Sequence, residues 1–271
     1  MSTDSLPTPY AASSLTDENG LLREEFHPNL DHIVTEDETP VDGQFSEKQH
    51  RLLIESLYSS WKPNVPFVAM TNVGLFYAIR KSPFVPDALI SLGVSMPQDL
   101  SLKKNRSYFV WEYGKPPDVV VEVVSNREGG EDSEKLVGYA SIGIKYYIIY
   151  DPEQLLSKDA LRVYELNGLK YRLVANTTYL LTEVGFGVTL WDGVVEDLET
   201  TWMRWIHNDG NLMKTGFEMA MSARKDHFDA ALKASEAEIK ANEAELKASE
   251  AMLRADALAE QLRSLGIKPN V

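Results

Sequence analysis

The sequence predicts an α/β fold: a central mixed sheet of four or five strands flanked by helices, with a long C-terminal helix added. Three observations carry this. Between residues 45 and 213, short apolar runs rich in Val, Ile, Tyr and Phe are interspersed with amphipathic helical segments. The run at 118–125, DVVVEVVS, is apolar on both faces, as a central strand covered on both sides requires. From Lys233 a seven-residue repeat of Ala, Glu, Lys and Leu runs without Gly or Pro as far as Gly266.

The chain reads in three parts: an acidic N-terminal arm over 1–44, a core over 45–213, and a C-terminal helix over 214–271. The arm is polar and rich in Pro, so it reads as an extended segment lying over the core. FSEKQHRLLIESLYSSW follows with Leu52, Leu53, Leu57 and Tyr58 at helical spacing and Ser46 as its N-cap. VPFVAMTNVGLFYAI reads as one long strand or a hairpin turning at Asn72–Gly74. FVPDALISL, SYFVWEY and DVVVEVVS read as strands. A helix over 132–141 is capped by Asp132 and stopped near Gly143, and KYYIIYD is a buried strand ended by Pro152. LRVYEL and KYRLVA form a hairpin around Gly168. GVTLWDG is a strand, and a Trp-rich helix is expected from Asp197 to His207. In the tail, the repeats KASEAEI, KANEAEL and KASEAML have a coiled-coil period. Each offers one large apolar residue (Leu232, Ile239, Leu246, Leu253), and the position three residues on is Ser235, Asn242, Ser249 or Asp256. A normal seam is apolar at both places, so the period predicts a weak coiled coil or a helix lying on its own core.

Composition sets limits on function. The chain of 271 residues is 44% apolar, which is enough for one catalytic-size core plus appendages. It contains no Cys, which excludes disulfides and thiolate metal sites and suits a reducing, cytoplasmic setting. No apolar run of membrane-spanning length occurs. The net charge is −14, of which residues 1–60 carry −9 from twelve acids and three bases. Such a chain is not built overall to adhere to nucleic acid, so any DNA-handling surface is local or assisted by cations. No phosphate-binding loop, nucleophile elbow or dinucleotide fingerprint is present.

Chemistry enters with Glu122, a carboxylate in the middle of an apolar strand. Burying it ionised costs several kcal/mol unless it is paired or holds a metal. Glu122 shares a face with Asp118, Val120 and Val124. A second acid, Asp87, stands after Pro86 at the entry to FVPDALISL. If the two strands are neighbours, Asp87 and Glu122 converge, repel, and call for a hard cation such as Mg²⁺ or Mn²⁺. Asp118 is less suited, because two pleats along the same strand place it roughly 13 Å away. The bland alternatives are a strand-start role for Asp87 and a structural ion pair of Glu122 with Lys135 or an Arg.

The segment PPDVVVEVVSNREGGEDSEKLVGYASIGIKYYIIYDP resembles the core signature of the Uma-two family of restriction-endonuclease-like proteins, within the PD-(D/E)xK nuclease superfamily. DGQFSEKQHRLLIESL, FVPDALISL and YFVWEYGKPPDVV resemble the regions upstream of that signature, and the closing LRSLGIKP resembles the helical tail of many members. The resemblance spans roughly 40–210 plus the tail. It implies a restriction-endonuclease-like core in which Asp87 and Glu122 bind the metal. Where the superfamily carries a lysine two residues after the glutamate, this chain has Val124. Lys135, on the following helix, is the expected replacement. Gln44, Glu47 and His50 are candidates for an additional site residue from the first helix. The expectation is therefore a Mg²⁺- or Mn²⁺-dependent DNA endonuclease with Asp87, Glu122 and Lys135 as its catalytic set. Its partners are DNA and a second copy of the chain, with no membrane. The alternative is a catalytically silent nuclease fold that recruits a protein partner through the C-terminal helix. A cleft around Glu122 lined by Lys103, Lys104, Arg106, Arg127 and Lys135 would favour the enzyme.

Overall fold

A computed structural model describes residues 15–17, 22–27, 29, 43–127, 129–266 and 268. Most of the expected arm lies outside the described residues. The chain forms two compact units, Met1–Gly216 and Phe217–Val271.

The first unit is built on a six-stranded mixed sheet in the order β1-β3-β5-β6-β7-β8, larger than the four or five strands expected. Its strands are β1 (Phe67–Met70), β3 (Ala88–Leu92), β5 (Val119–Val123), β6 (Tyr146–Tyr150), β7 (Leu161–Asn167) and β8 (Lys170–Ala175). Only β5 and β6 pair in parallel; the other neighbours are antiparallel. Every residue of β5 and β6 is buried, because apolar clusters cover both faces of the sheet. On one face lies α1 (Gln44–Ser60), whose Leu53 and Leu57 pack against Val119, Val121 and Tyr146. On the other lies α3 (Glu134–Ile142), whose Tyr139 packs with Val120, Val124 and Tyr147. α3 ends at Gly143, where a φ of 90° suits a residue without a Cβ.

Several local expectations change. α1 begins at Gln44, two residues before Ser46, with Gly43 in the cap position, and Ser46 is a buried helical residue. The segment after β1 is neither a long strand nor a hairpin. β2 (Leu75–Phe76) leaves the sheet and pairs in parallel with β4 (Tyr108–Phe109). SYFVWEY is a strand only over β4 and then turns into a short helix, α2 (Val110–Tyr113), so Trp111 is not on an edge strand. The expected Trp-rich helix is a strand. β11 (Leu198–Ile206) pairs along its length with β10 (Phe186–Val195), which also pairs with β9 (Tyr179–Leu181). The two residues of the β10–β11 turn, Glu196 and Asp197, have φ of 47° and 65°, the double left-handed geometry that matches strand twist in a tight hairpin. Thr200, Thr201, Trp202 and Trp205 are strand formers, and pairing with β10 overrides the helical reading. Three buried hydrogen bonds tie this sheet to α1: the Gln49 side-chain amide donates to the Met203 carbonyl and accepts from the Met203 amide, and Trp205 donates to the Leu53 carbonyl.

The described part of the arm is pinned through His27, whose Nδ1 lies 2.8 Å from Glu112 Oε1, and through Glu24, 3.3 Å from Lys104. The second unit is a single helix, α4 (Gly216–Ser264), on which Leu232, Ile239, Leu246 and Leu253 are all more than half exposed. Among the described residues no helix is long and apolar enough to cross a membrane.

Candidate active site at the carboxyl ends of β5 and β6

The one parallel pair defines a polar end of the sheet. Glu122 is the fourth residue of β5 and is 2% exposed. β3 runs antiparallel to β5 with Ala88 opposite Val121 and Leu89 opposite Val120. One further step in that register sets Asp87 opposite Glu122, and directly opposed antiparallel residues lie on one face with Cα atoms about 5 Å apart. The Val123 amide locks the arrangement by donating to Asp87 Oδ2 at 2.6 Å. Pro86 and Asp87 thus sit just outside β3, where the missing proline donor leaves no ladder bond unmade.

α3 brings the cation. Lys135 Nζ lies 2.8 Å from Glu122 Oε2 and 3.2 Å from Glu131 Oε1. Tyr139, one helical turn further on, donates to Glu122 Oε1 at 2.5 Å. Both oxygens of Glu122 are therefore held by α3. The helix can sit this close because position 138 is glycine: a Cβ there would fall 2.2 Å from the Phe84 ring. Val124, where a lysine was sought, is 2% exposed and belongs to the apolar cluster under α3.

Burial pushes the Glu122 carboxyl up to about 8; Lys135 pulls against this, Asp87 adds to it, and the Tyr139 hydrogen bond lowers it. Burial alone would lower Lys135, but Glu122 and Glu131 outweigh it and hold the ammonium above its ordinary value. Two opposed acids, one of them costly to ionise, fit a divalent cation by charge and by oxygen chemistry. Asp87 and Glu122 are the residues that would hold it. Among the described residues no three His, Asp or Glu side chains are gathered closely enough to hold a metal by themselves.

Of the first-helix candidates, His50 comes nearest. Its buried Nε2 lies 3.4 Å from Asp87 Oδ1 and has no hydrogen-bond partner, while Nδ1 lies 3.4 Å from the Asn72 amide. Glu47 instead pairs with Arg51, and Gln44 is exposed at the start of α1. His50 and Asn72 line a cavity of about 590 Å³ beside Asp87. Asp118 is at the far end of β5, holding Lys115 at 2.6 Å and the Leu92 amide. Asp132 is not the cap of α3: Ser133 takes that position, and Asp132 faces Arg162 at 3.7 Å. Of the basic residues expected around the site, only Lys135 contacts Glu122. Lys104 goes to Glu24, and Arg106 donates to the Ser101 carbonyl. Sequence reasoning missed Tyr139 as a partner of Glu122. A Glu131–Lys135–Tyr139 run at steps of four was the available signal.

The family model named Uma2, with the description "Putative restriction endonuclease", matches residues 32–190. A solved structure, "a putative nuclease belonging to DUF820" from Anabaena variabilis ATCC 29413, is 13% identical, with a TM-score of 0.37 over 49% of this chain and 69% of that one. No curated protein matches the chain.

Proposed function

The chain belongs to the Uma2 family, and from that premise we propose that it is a divalent-metal-dependent endonuclease that hydrolyses phosphodiester bonds in DNA. The observation that carries the reading is the ion pair between Lys135 and the buried Glu122, with Asp87 opposed across β3 and β5. A lysine missing from the strand is thereby supplied from α3 to the same carboxylate.

The ion, Mg²⁺ or Mn²⁺, would be held by Asp87 and Glu122; when bound, it supplies a water of lowered pKa and neutralises charge growing on the phosphate. The chain's own groups orient and screen. Val123 N–H fixes Asp87 Oδ2 and leaves Oδ1 toward His50. Tyr139 fixes Glu122 Oε1. Lys135 keeps its proton and donates a charge-assisted hydrogen bond to a non-bridging phosphate oxygen, stabilising the extra negative charge of the transition state. Glu131 steadies that ammonium from the other side.

The test is plasmid cleavage in Mg²⁺ or Mn²⁺ by the full chain and by Asp87→Asn, Glu122→Gln and Lys135→Ala. Cleavage by the wild type is expected, with a loss of at least a hundredfold in each variant. No cleavage by any form, with no Mn²⁺ binding by calorimetry, removes the nuclease reading. What would then remain is a nuclease fold acting through α4, a reading favoured by Val124 in the core and by the net charge of −14.

A further inference from the structure

We propose that Arg162 is a phosphate-binding residue, taking a backbone phosphate of the bound strand next to the one being cleaved. The inference rests on the nuclease reading and extends that site by one subsite. Its basis is a row across the sheet. Glu122 on β5 pairs with Ile149 on β6, and Ile149 pairs with Arg162 on β7. Arg162 therefore shares the face of Glu122, two strands away, about 10 Å between backbones. The flanking residues Leu161 and Val163 belong to the apolar cluster on the opposite face.

The guanidinium there is in an unusual state. The side chain is 8% exposed, and Nε and Nη2 are buried without a hydrogen-bond partner. Among the described residues its ion pair is Nη1 to Asp132 Oδ2 at 3.7 Å, too long for a good hydrogen bond. A guanidinium cannot shed its proton to escape this cost. Arginines that serve structure in this chain look different. Arg51 is held by the carboxylates of both Glu47 and Glu196. Arg204 also has a buried Nε without a hydrogen-bond partner, but its Nη2 donates to the Met213 carbonyl at 2.8 Å and its guanidinium lies over the Trp191 ring.

Two idle N–H donors on a planar fork match a tetrahedral anion with paired oxygens. Asp132 is 41% exposed and precedes α3 by two residues, so it gives way without disturbing a strand. Lys135, three residues further on, serves the scissile phosphate. The two cations then track a polyanion along the carboxyl end of β5 and β6, in a chain whose overall charge repels one.

The test uses the full chain with Arg162→Met and Arg162→Lys. The first readout is thermal unfolding in phosphate-free buffer, with and without pyrophosphate. The second is anisotropy of a labelled DNA duplex in a Glu122→Gln background, where cleavage is blocked. Arg162→Met is expected to unfold at or above the wild-type temperature, because it removes an unpaired buried charge. It should lose the pyrophosphate-induced rise and bind DNA at least tenfold more weakly. Arg162→Lys, which keeps the charge and loses the fork, should fall between. In cleavage, KM should rise with kcat little changed. A lower unfolding temperature for Arg162→Met with pyrophosphate response and DNA affinity intact would make Arg162 a structural residue and overturn the proposal. If Arg162→Met does not fold, a wild-type pyrophosphate response in Arg162→Lys overturns it equally. Pyrophosphate binding that depends on Arg162, in a protein that never cuts DNA, would instead retain the anion site and remove the nuclease reading.

Discussion

Glu122 is a carboxyl that burial makes costly to ionise. Its ordinary value is 4.5, and burial raises it to about 8. Between these two values the folded chain holds a proton that the unfolded chain has released, so stability falls as pH rises. The contribution is fully present below about 4.5 and is spent by about 8. Wild-type unfolding temperature in metal-free buffer should therefore decline across this window relative to Glu122→Gln. Parallel profiles for the two proteins would refute the raised carboxyl. Glu122 was legible in the sequence because an acid in an apolar strand has few explanations, and Asp87 because a proline set it at the mouth of a second strand. Arg162 was not legible, and His50 was legible only as one of three candidates on the first helix. Their significance comes from strand register and helix placement between residues far apart in the chain, which no local pattern encodes.

Single elements decide whether the site is assembled. The close approach of α3 to the sheet rests on Gly138 against Phe84. Gly138→Ala gains in helix propensity but overpacks that contact, so a net loss of about 1–3 kcal/mol is expected by denaturant unfolding. Activity should fall further than stability explains, because Lys135 and Tyr139 move with the helix. A variant as stable and active as the parent would show that α3 has room to spare. The β10–β11 hairpin allows the opposite experiment. Asp197 is held at a φ of 65°, where glycine is comfortable. Asp197→Gly should add about 0.5–1 kcal/mol, read as a rise of roughly 1–4 °C in Tm; a fall would mean that the Asp side chain contributes to the turn. This hairpin is also where sequence reasoning failed. Trp202, Met203, Trp205 and Ile206 are buried in succession, so β11 has no alternation to betray a strand. A continuous apolar run cannot be told from a buried helix by periodicity. The short Val-rich run of β5 and the Gly168 hairpin of β7 and β8 gave no such ambiguity.

At the scale of the whole molecule, charge and the C-terminal helix set the terms. Leu232, Ile239, Leu246 and Leu253 recur every seventh residue, with Glu236, Glu243 and Glu250 four places on and Glu238 and Glu245 six places on. Laying two copies together along that stripe sets Glu against Glu. We therefore expect the proposed homodimer to be weak at low salt and tighter at high salt, where like charges are screened. Sedimentation of the full chain, beside a form ending at Gly216, decides this; a tight dimer at low salt, or one that survives removal of α4, would refute it. The position of the lysine has a different consequence, for how such chains are sorted. A rule that judges competence from the residue two places after the glutamate rejects this chain, because Val124 stands there. That rule follows the ammonium along the chain. Here the ammonium crosses from the neighbouring helix, and a rule that follows distance in space accepts the same molecule.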